Sequence, residues 1–576
     1  MDDVYDVIVV GSGPSGAVVT HTLATNGLKV LCLEQGDWVG SHEFPANHPE
    51  WELLIQHRWS HDPNVRRLPA DYPVDVVDSD MWPVMFNAVG GSSIYFGAEW
   101  PRLMPSDYRV RTLDGLADDW PITYRDLEPF NKAVDSFLGV SGVDGDPAYP
   151  AGLEYPQPPL PIGRSGRRAA KGFNELGWHW WPGSNAISSQ KHGDLEPCVR
   201  YGTCEWGCPQ GAKASYDRAY WPAAIRAGAV LKTGARVQRV ETNDQGLVDA
   251  VLWVDRDGVE HRQRTNAVVM CANGIGTPRL LLMSADARHP EGLANSSGLV
   301  GKNLQLHPNC TVTAYYDEDL ESWLGPAGQL IYSMQFYETD TSRGFARGSK
   351  LHVLPMPGPL SAIETRRGLN FDDLWGANVD RHAATHGRGL LFAANIEDLP
   401  EESNRVTLSD TLVDSDGLPA PKINYRLSDM TRASLAFTLA RLEEVAAAAG
   451  ALETYPVELW VDQPGHLLGA GRVGHGRALA AGGFGRQEVV VGAHHRLHVH
   501  ALAEEARAGE LPGRGRQHDR LARVARRVGV GNVLADRLQR RLVGEHRPSA
   551  EGEQACHLRT PWRVSGRAPG RPKPAR

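Results

Sequence analysis

The first residues able to do chemistry in this chain are glycines. Gly11, Gly13 and Gly16 follow the apolar run Val7-Ile8-Val9-Val10 and lead into a helix-like stretch over 17–26. Gly-x-Gly-x-x-Gly at such a junction serves a phosphate. Gly11 allows the tight turn, Gly13 lets the backbone approach a pyrophosphate, and Gly16 lets the helix lie close on the sheet. Pro14 and Ser15 open the helix, whose free N–H groups and positive dipole end face the phosphates. A second apolar run, 29–33, ends in Glu34. That acid sits at the distance needed to accept from a ribose 2′-hydroxyl, and its charge repels the 2′-phosphate of NADP. Strand, turn, helix, strand and acid in this order predict a dinucleotide site, a pattern that FAD and NAD share.

Two further groups stand out. Asn87-Ala88-Val89-Gly90-Gly91-Ser92-Ser93 puts two glycines before two hydroxyls, a flexible turn with exposed N–H groups suited to a phosphate or the face of a planar ring. Cys198, Cys204 and Cys208 cluster as C-x5-C-x3-C, followed by Pro209. Thiolates this close can hold a metal, and three of them suit a three-iron cluster or an incomplete four-iron one. The spacing is not the usual one for zinc, and buried thiols beside a turn would give the same pattern.

These groups need elements to position them. The stretch over 38–83 holds Trp38, Trp51, Trp59 and Trp82 among Pro, His and Asp, and reads as an irregular excursion. A loop is expected over 106–119 and a helix over 124–138, with Thr123 as its cap. Residues 141–165 are rich in Pro and Gly and read as a linker or cover, followed by a short basic helix over 166–176. A helix over 215–227, a strand over 230–237, a hairpin from 248–255 through Gly258 to 262–271, and a helix with Pro278 in its first turn complete a nucleotide-binding domain that is interrupted and resumed. Short alternating runs from 310 to 425 and an amphipathic helix over 430–449 predict an antiparallel sheet and helix. The expected fold is α/β: a Rossmann-like domain formed by 1–140 and 193–308, with 141–192 as linker. A second, α+β substrate domain occupies 309–455, and 456–470 begins a C-terminal active-site segment.

Composition limits the function. The chain has 576 residues and a net charge of -9, but residues 471–576 hold 21 Lys+Arg against 9 Asp+Glu, leaving an acidic body that does not suggest nucleic acid. Seven cysteines in this length are not a disulfide framework. No run of eighteen apolar residues spans a membrane, and acidic Met1-Asp2-Asp3 meets the first strand at once, without a signal peptide. Residues 471–576 contain no Ile, Met or Tyr and hold 20 Arg and 8 His, too little bulky apolar side chain for a core. A disordered basic tail or a slipped reading frame near residue 470 gives such a composition; the frame change is the favoured reading.

Taken together, the motifs resemble the glucose–methanol–choline (GMC) family of FAD-dependent oxidoreductases. The resemblance is carried by Gly11-Ser12-Gly13-Pro14-Ser15-Gly16 with Glu34, by Gly90-Gly91-Ser92-Ser93, and by Gly207-Cys208-Pro209-Gln210-Gly211-Ala212-Lys213. Thr277-Pro278-Arg279-Leu280-Leu281, Gly298-Leu299-Val300-Gly301-Lys302-Asn303-Leu304 before His307-Pro308, and Asn404-Arg405-Val406-Thr407-Leu408-Ser409 extend it to about Gly469. Bacterial sugar, polyol and gluconate dehydrogenases of the family look most similar. The resemblance implies FAD bound by Gly11, Gly13, Ser15, Gly16 and Glu34 on the ADP side, with Gly90, Gly91 and Ser92 near the pyrophosphate and isoalloxazine and Val237 contacting the adenine side by its backbone. It implies His466, opening His466-Leu467-Leu468-Gly469, as the base in oxidation of an alcohol or sugar CH–OH. The continuation Ala470-Gly471-Arg472-Val473-Gly474 departs from the family motif where the composition changes. The cysteine spacing resembles a [3Fe-4S] site in certain family members that pass electrons to a cytochrome subunit, though other members carry a similar run without a cluster. A small subunit or cytochrome acceptor, and a cytoplasmic location or export to the periplasm with a partner, follow as expectations.

Overall fold

The computed structural model describes residues 4–356, 358–366 and 375–459, together with the strands Leu467–Ala470 and Glu488–Val491. His466 and most of the tail lie outside the described residues. Strand β1 (Val7–Val10) is fully buried, as a run of four β-branched residues between two covering layers should be. It pairs in parallel with β2 (Val30–Leu33), Val7 opposite Val30, and with β9 (Ala267–Met270), Ile8 opposite Val268. With β5 (Val230–Lys232) and β19 (Glu488–Val491) these form a parallel sheet in the order β19-β9-β1-β2-β5. The helix Pro14–Thr25 lies on it, and the sheet's two faces belong to separate apolar cores. This is a Rossmann-like dinucleotide-binding layer, and its neighbouring strands come from distant stretches of the chain.

A six-stranded antiparallel sheet forms the second domain: β17 (Glu453–Val457), β11 (Asn309–Tyr315), β14 (Gly389–Ile396), β13 (Ser349–Leu354), β12 (Ile331–Phe336) and β4 (Trp181–Pro182). The register alternates two unlike faces. Val312, Phe392, Ala394, Leu351 and Val353 turn into a core shared with Leu435, Leu442 and Val445 of the helix Asp429–Ala448. The opposite face carries Asn309, Thr311, Asn395, Lys350, His352 and Tyr332. The helix Gly163–Glu175 packs on Asp429–Ala448 so closely that a Cβ at Gly172 would stand 2.5 Å from the Val445 carbonyl oxygen.

Several local expectations are corrected. The stretch over 38–83 contains the short helices Trp51–Leu54 and Pro63–Arg66 and a strand, β3 (Asp75–Ser79), paired in parallel with β16 (Pro419–Tyr425), which in turn pairs with β15 (Arg405–Val413). Its alternation is hidden because β3 is a half-exposed edge strand. The 106–119 loop contains the helix Val110–Asp114, ended by Gly115 at φ +72°. The 215–227 helix is two pieces, Tyr216–Ala219 and Trp221–Arg226, broken just before Trp221-Pro222. The 230–237 strand divides at Gly234 between β5 and β6 (Arg236–Thr242), which joins β7 (Val248–Val254) and β8 (Glu260–Arg264) in an antiparallel meander. The 262–271 segment divides likewise between β8 and β9. The helix expected to start at Pro278 starts at Asn273 instead. The Asn273 side chain fixes that start, its Oδ1 accepting from the N–H groups of Ile275 (2.7 Å) and Gly276 (2.9 Å).

The junction beneath the second sheet carries a pH dependence. Asp398 is buried, accepting from the hydroxyls of Tyr425 (2.9 Å) and Thr431 (3.4 Å), and burial pushes its carboxyl up to about 7. The fold therefore keeps a proton that the unfolded chain releases above about pH 4, so stability falls as pH rises from there to about 7. The loss is on the order of 2–4 kcal/mol. Denaturant melts of Asp398→Asn are expected to flatten this slope while keeping an oxygen for Tyr425; an unchanged slope would assign it elsewhere.

Candidate functional site

Gly11, Gly13, Glu34, Gly91, Ser92 and Val237 line one cavity above the C-terminal edge of the parallel sheet. Ser15, Gly16 and Gly90 do not line it; Gly16 and Gly90 shape its wall. Gly11 adopts φ +96°, and a Cβ at Gly16 would stand 1.9 Å from the Gly11 carbonyl oxygen, so helix and turn touch backbone to backbone. Gly91, at φ +56°, also touches Gly13, a built Cβ lying 2.9 Å from the Gly13 Cα. A Cβ on Gly13 itself would meet only the Gly91 Cα, at 3.8 Å. The two glycine turns thus meet at Gly13 and Gly91, and together they present bare backbone to the cavity beside the start of the helix. That is the shape a pyrophosphate needs.

Glu34 is buried at the end of β2. Its carboxylate accepts from the N–H (2.9 Å) and hydroxyl (2.7 Å) of Ser12 and from the Gly36 N–H (2.8 Å), which stiffens the first turn, while burial pushes its pKa up. These residues fit the ADP half of FAD by their chemistry: an acid at the end of the second strand can accept from a ribose, and the bare backbone at the helix start can approach phosphates.

Sequence reasoning missed part of this wall. Tyr72, Arg236, Arg279 and Asp414 come from four segments. Arg279 forms a buried ion pair with Asp414 (2.6 Å) and lies 4.6 Å from the Tyr72 ring centroid. Arg279 stands in the family-like run 277–281, but Tyr72 sits in the irregular excursion with no local pattern to mark it.

The second glycine turn is tied down from below. Ser93 Oγ donates to the Gly90 carbonyl (2.6 Å) and accepts from the Tyr216 N–H (3.0 Å). Lys213, fully buried, donates to the carbonyls of Ile94 (2.6 Å), Phe96 (3.0 Å) and Cys204 (2.6 Å), and so joins this turn to the cysteine loop. Burial pulls Lys213 down to about 8. On that loop, burial raises Cys198 and pushes Cys204 up to about 12, and each thiolate would be raised further by a neighbouring cysteine's charge. No group of three or more His, Cys, Asp or Glu among the described residues is arranged to hold a metal ion. Aromatic rings connect this loop to the cavity wall. Phe86 lies 4.3 Å from Tyr95, Tyr95 lies 4.8 Å from His61, and His61 stacks on Trp206 at 5.7 Å. Burial holds His61 neutral, its pKa pulled to about 4.

The same turn leads to the polar face of the second sheet. Glu99, two residues beyond Gly97, bonds to that face: its Oε2 lies 2.8 Å from His352 Nδ1 and its Oε1 pairs with Lys350. His466 is outside the described residues. Leu467, the next residue, opens β18 (Leu467–Ala470), which runs antiparallel to β10 (Leu304–Leu306) with Leu467 opposite Leu306, immediately before His307.

Comparison with known proteins identifies the family. Residues 168–309 match the family model for GMC oxidoreductases, and residues 9–71 match an NAD(P)-binding Rossmann-like domain. The chain is 41% identical to 2-methyl-1,2-propanediol dehydrogenase of Mycolicibacterium austroafricanum, over 82% of this chain and 86% of that protein. It is 28% identical to the fructose dehydrogenase large subunit of Gluconobacter japonicus (82% and 88% covered), and 29% identical to 6'''-hydroxyparomomycin C oxidase of Streptomyces lividus (82% of each). The fold is similar to that of pyridoxine 4-oxidase from Mesorbium loti, with a TM-score of 0.52 at 16% identity over 81% of this chain and 87% of that one. With a fingerprint cavity over a parallel sheet, a second sheet beside it and a relative this similar along most of its length, the chain belongs to the GMC oxidoreductase family.

Proposed function

We propose that this protein is an FAD-dependent dehydrogenase that oxidises a CH–OH group of a small alcohol, diol or sugar and passes the electrons to an external acceptor. The observation that carries this reading is the course of one segment: the turn closing the cofactor cavity, Gly90–Ser93, runs on to Glu99, which is bonded to the polar face of the second sheet. A substrate held on that face lies beside the end of the cofactor cavity. FAD, when bound, supplies the hydride acceptor. Gly11, Gly13, Gly91 and Ser92 hold it by backbone and hydroxyl, Glu34 orients its ribose, and Val237 closes the adenine side. His466 takes the hydroxyl proton, a role its motif supports and neutral imidazole suits near pH 7.

Relatives named as dehydrogenases and as oxidases both match the chain, so the acceptor is what an assay must decide. Anaerobic turnover of a diol with a dye acceptor, and no peroxide in air, is the expected result; peroxide at the same rate would make the protein an oxidase, and flavin that stays oxidised would exclude either. The large-subunit name of one relative supports a small subunit or cytochrome as partner. No helix among the described residues is long and apolar enough to cross a membrane, and the cytoplasm, or the periplasm by export with a partner, is the proposed location. A [3Fe-4S] cluster on Cys198, Cys204 and Cys208 is the metal reading that their spacing in the sequence supports. About three irons per chain would establish it and an iron-free protein with full activity would remove it. A frame change near residue 470 rests on the composition of 471–576 alone, since Glu488–Val491 of that stretch pairs with β9; the intact mass of the native protein tests it directly.

A further inference from the structure

Glu99, Lys350 and His352 meet between the cofactor-side turn and the polar face of the second sheet. Lys350 and His352 alternate with the core residues Leu351 and Val353 on β13, so both turn away from the helix Asp429–Ala448. In register, Asn309, Asn395 and Lys350 form one row across three strands, and Thr311, Ala393, His352 and Tyr332 form the next. A sheet face buried inside a protein is ordinarily apolar. This one is polar, with Thr311, Lys350, His352 and Tyr332 buried and Asn309 and Asn395 half-buried, the arrangement of a face that receives a polar ligand.

The hydrogen bonding has room for that ligand. Glu99 accepts from His352 Nδ1–H at 2.8 Å and pairs with Lys350. That bond fixes the tautomer and leaves Nε2 as an acceptor, with no protein partner among the described residues. The desolvated ring and the ammonium of Lys350 both keep the imidazole neutral. Glu99 retains 18% of its side chain accessible, although Lys350 and His352 are almost fully covered. Beside it, Asn185 Oδ1 and Gln329 Oε1 are buried and accept no hydrogen bond from the described residues. The charges of Glu99 and Lys350 cancel, so the cluster suits an uncharged group that both donates and accepts. A hydroxyl does both; a carboxylate does not.

We propose that Glu99, Lys350 and His352 form a hydroxyl-binding subsite that selects substrates carrying a second hydroxyl besides the one oxidised. The inference rests on the dehydrogenase reading above. His352 Nε2 accepts from the second hydroxyl, and Glu99 positions the ring.

The test compares 1,2-propanediol with propan-1-ol on the full chain loaded with FAD, using Glu99→Gln and His352→Asn. Wild type is expected to favour the diol in kcat/KM by about tenfold or more, a margin typical of a site built to bond a hydroxyl. Each variant should lose about 10- to 100-fold on the diol and less than about threefold on propan-1-ol. Equal losses on both alcohols, or none, would overturn the subsite. Saturation-transfer NMR of the same two alcohols reads binding without turnover. If wild type reduces its flavin with neither alcohol, the dehydrogenase reading fails, and the NMR still decides the subsite. Saturation transfer to the diol that is present in wild type and abolished in both variants supports it. Transfer that is missing from wild type, or that persists in the variants, contradicts it. The double variant Glu99→Gln/Lys350→Met, which removes both charges together, guards against reading a misfolded single variant as a lost subsite.

Discussion

Replacing Gly13 by Val is expected to leave a folded protein that no longer binds FAD. The three fingerprint glycines are not equivalent here. A side chain at Gly16 would collide with the Gly11 carbonyl oxygen at 1.9 Å, and one at Gly11 would meet the Cys271 carbonyl oxygen at 2.5 Å in a left-handed conformation. Those substitutions break the packing of helix on sheet, so lost cofactor binding would say little. Gly13 has φ -64° and ψ -170°, open to any residue, and the only neighbour of a Cβ is the Gly91 Cα at 3.8 Å. A valine there keeps the turn and adds two methyl groups where the two glycine turns meet in the cavity wall. We expect FAD affinity to fall by about a hundredfold or more, with near-native circular dichroism. Full flavin occupancy in Gly13→Val would mean that the pyrophosphate does not lie against Gly13.

Replacing Lys213 by Met is expected to destabilise the protein and loosen its flavin together. Three carbonyls, of Ile94, Phe96 and Cys204, depend on this one buried ammonium. Left unpaired, each costs about 1–3 kcal/mol. Removing the charge relieves the ammonium of its own desolvation, which offsets part of this. A net loss of about 2–5 kcal/mol remains. Because two of the carbonyls follow Gly90–Ser93 directly, the cofactor turn loosens with them. Thermal melts with and without FAD check this. A melting temperature within about 1 °C of wild type would show that the two loops hold their shape without Lys213.

Much of this was legible in the sequence, for a physical reason. The Gly11–Glu34 unit is local: strand, turn, helix and strand follow one another within the range where spacing determines contact, and most of the expected residues line one cavity. The alternation over 310–425 likewise announces a two-faced sheet. What escaped was decided by distance along the chain. Tyr72 and Asp414 meet Arg279 from segments that carry no mark of each other. Asp75–Ser79 is a strand only because β16, more than three hundred residues on, offers it an edge. Pro278 suggested a helix start, but the Asn273 side chain caps the turn first. The Glu99–His352 bond joins residues 253 apart, and nothing near either predicts it.

The proposed function requires one cavity to hold FAD while the polar face of the second sheet presents a CH–OH group to it. A visible absorption spectrum of the purified 576-residue chain with FAD, recorded anaerobically before and after 1,2-propanediol is added, tests both halves at once. Twin flavin bands that remain with the protein through desalting, and that bleach when the diol is added, are the predicted result. Flavin that washes away, or bands that persist unchanged in the diol and in every other alcohol tried, would contradict it.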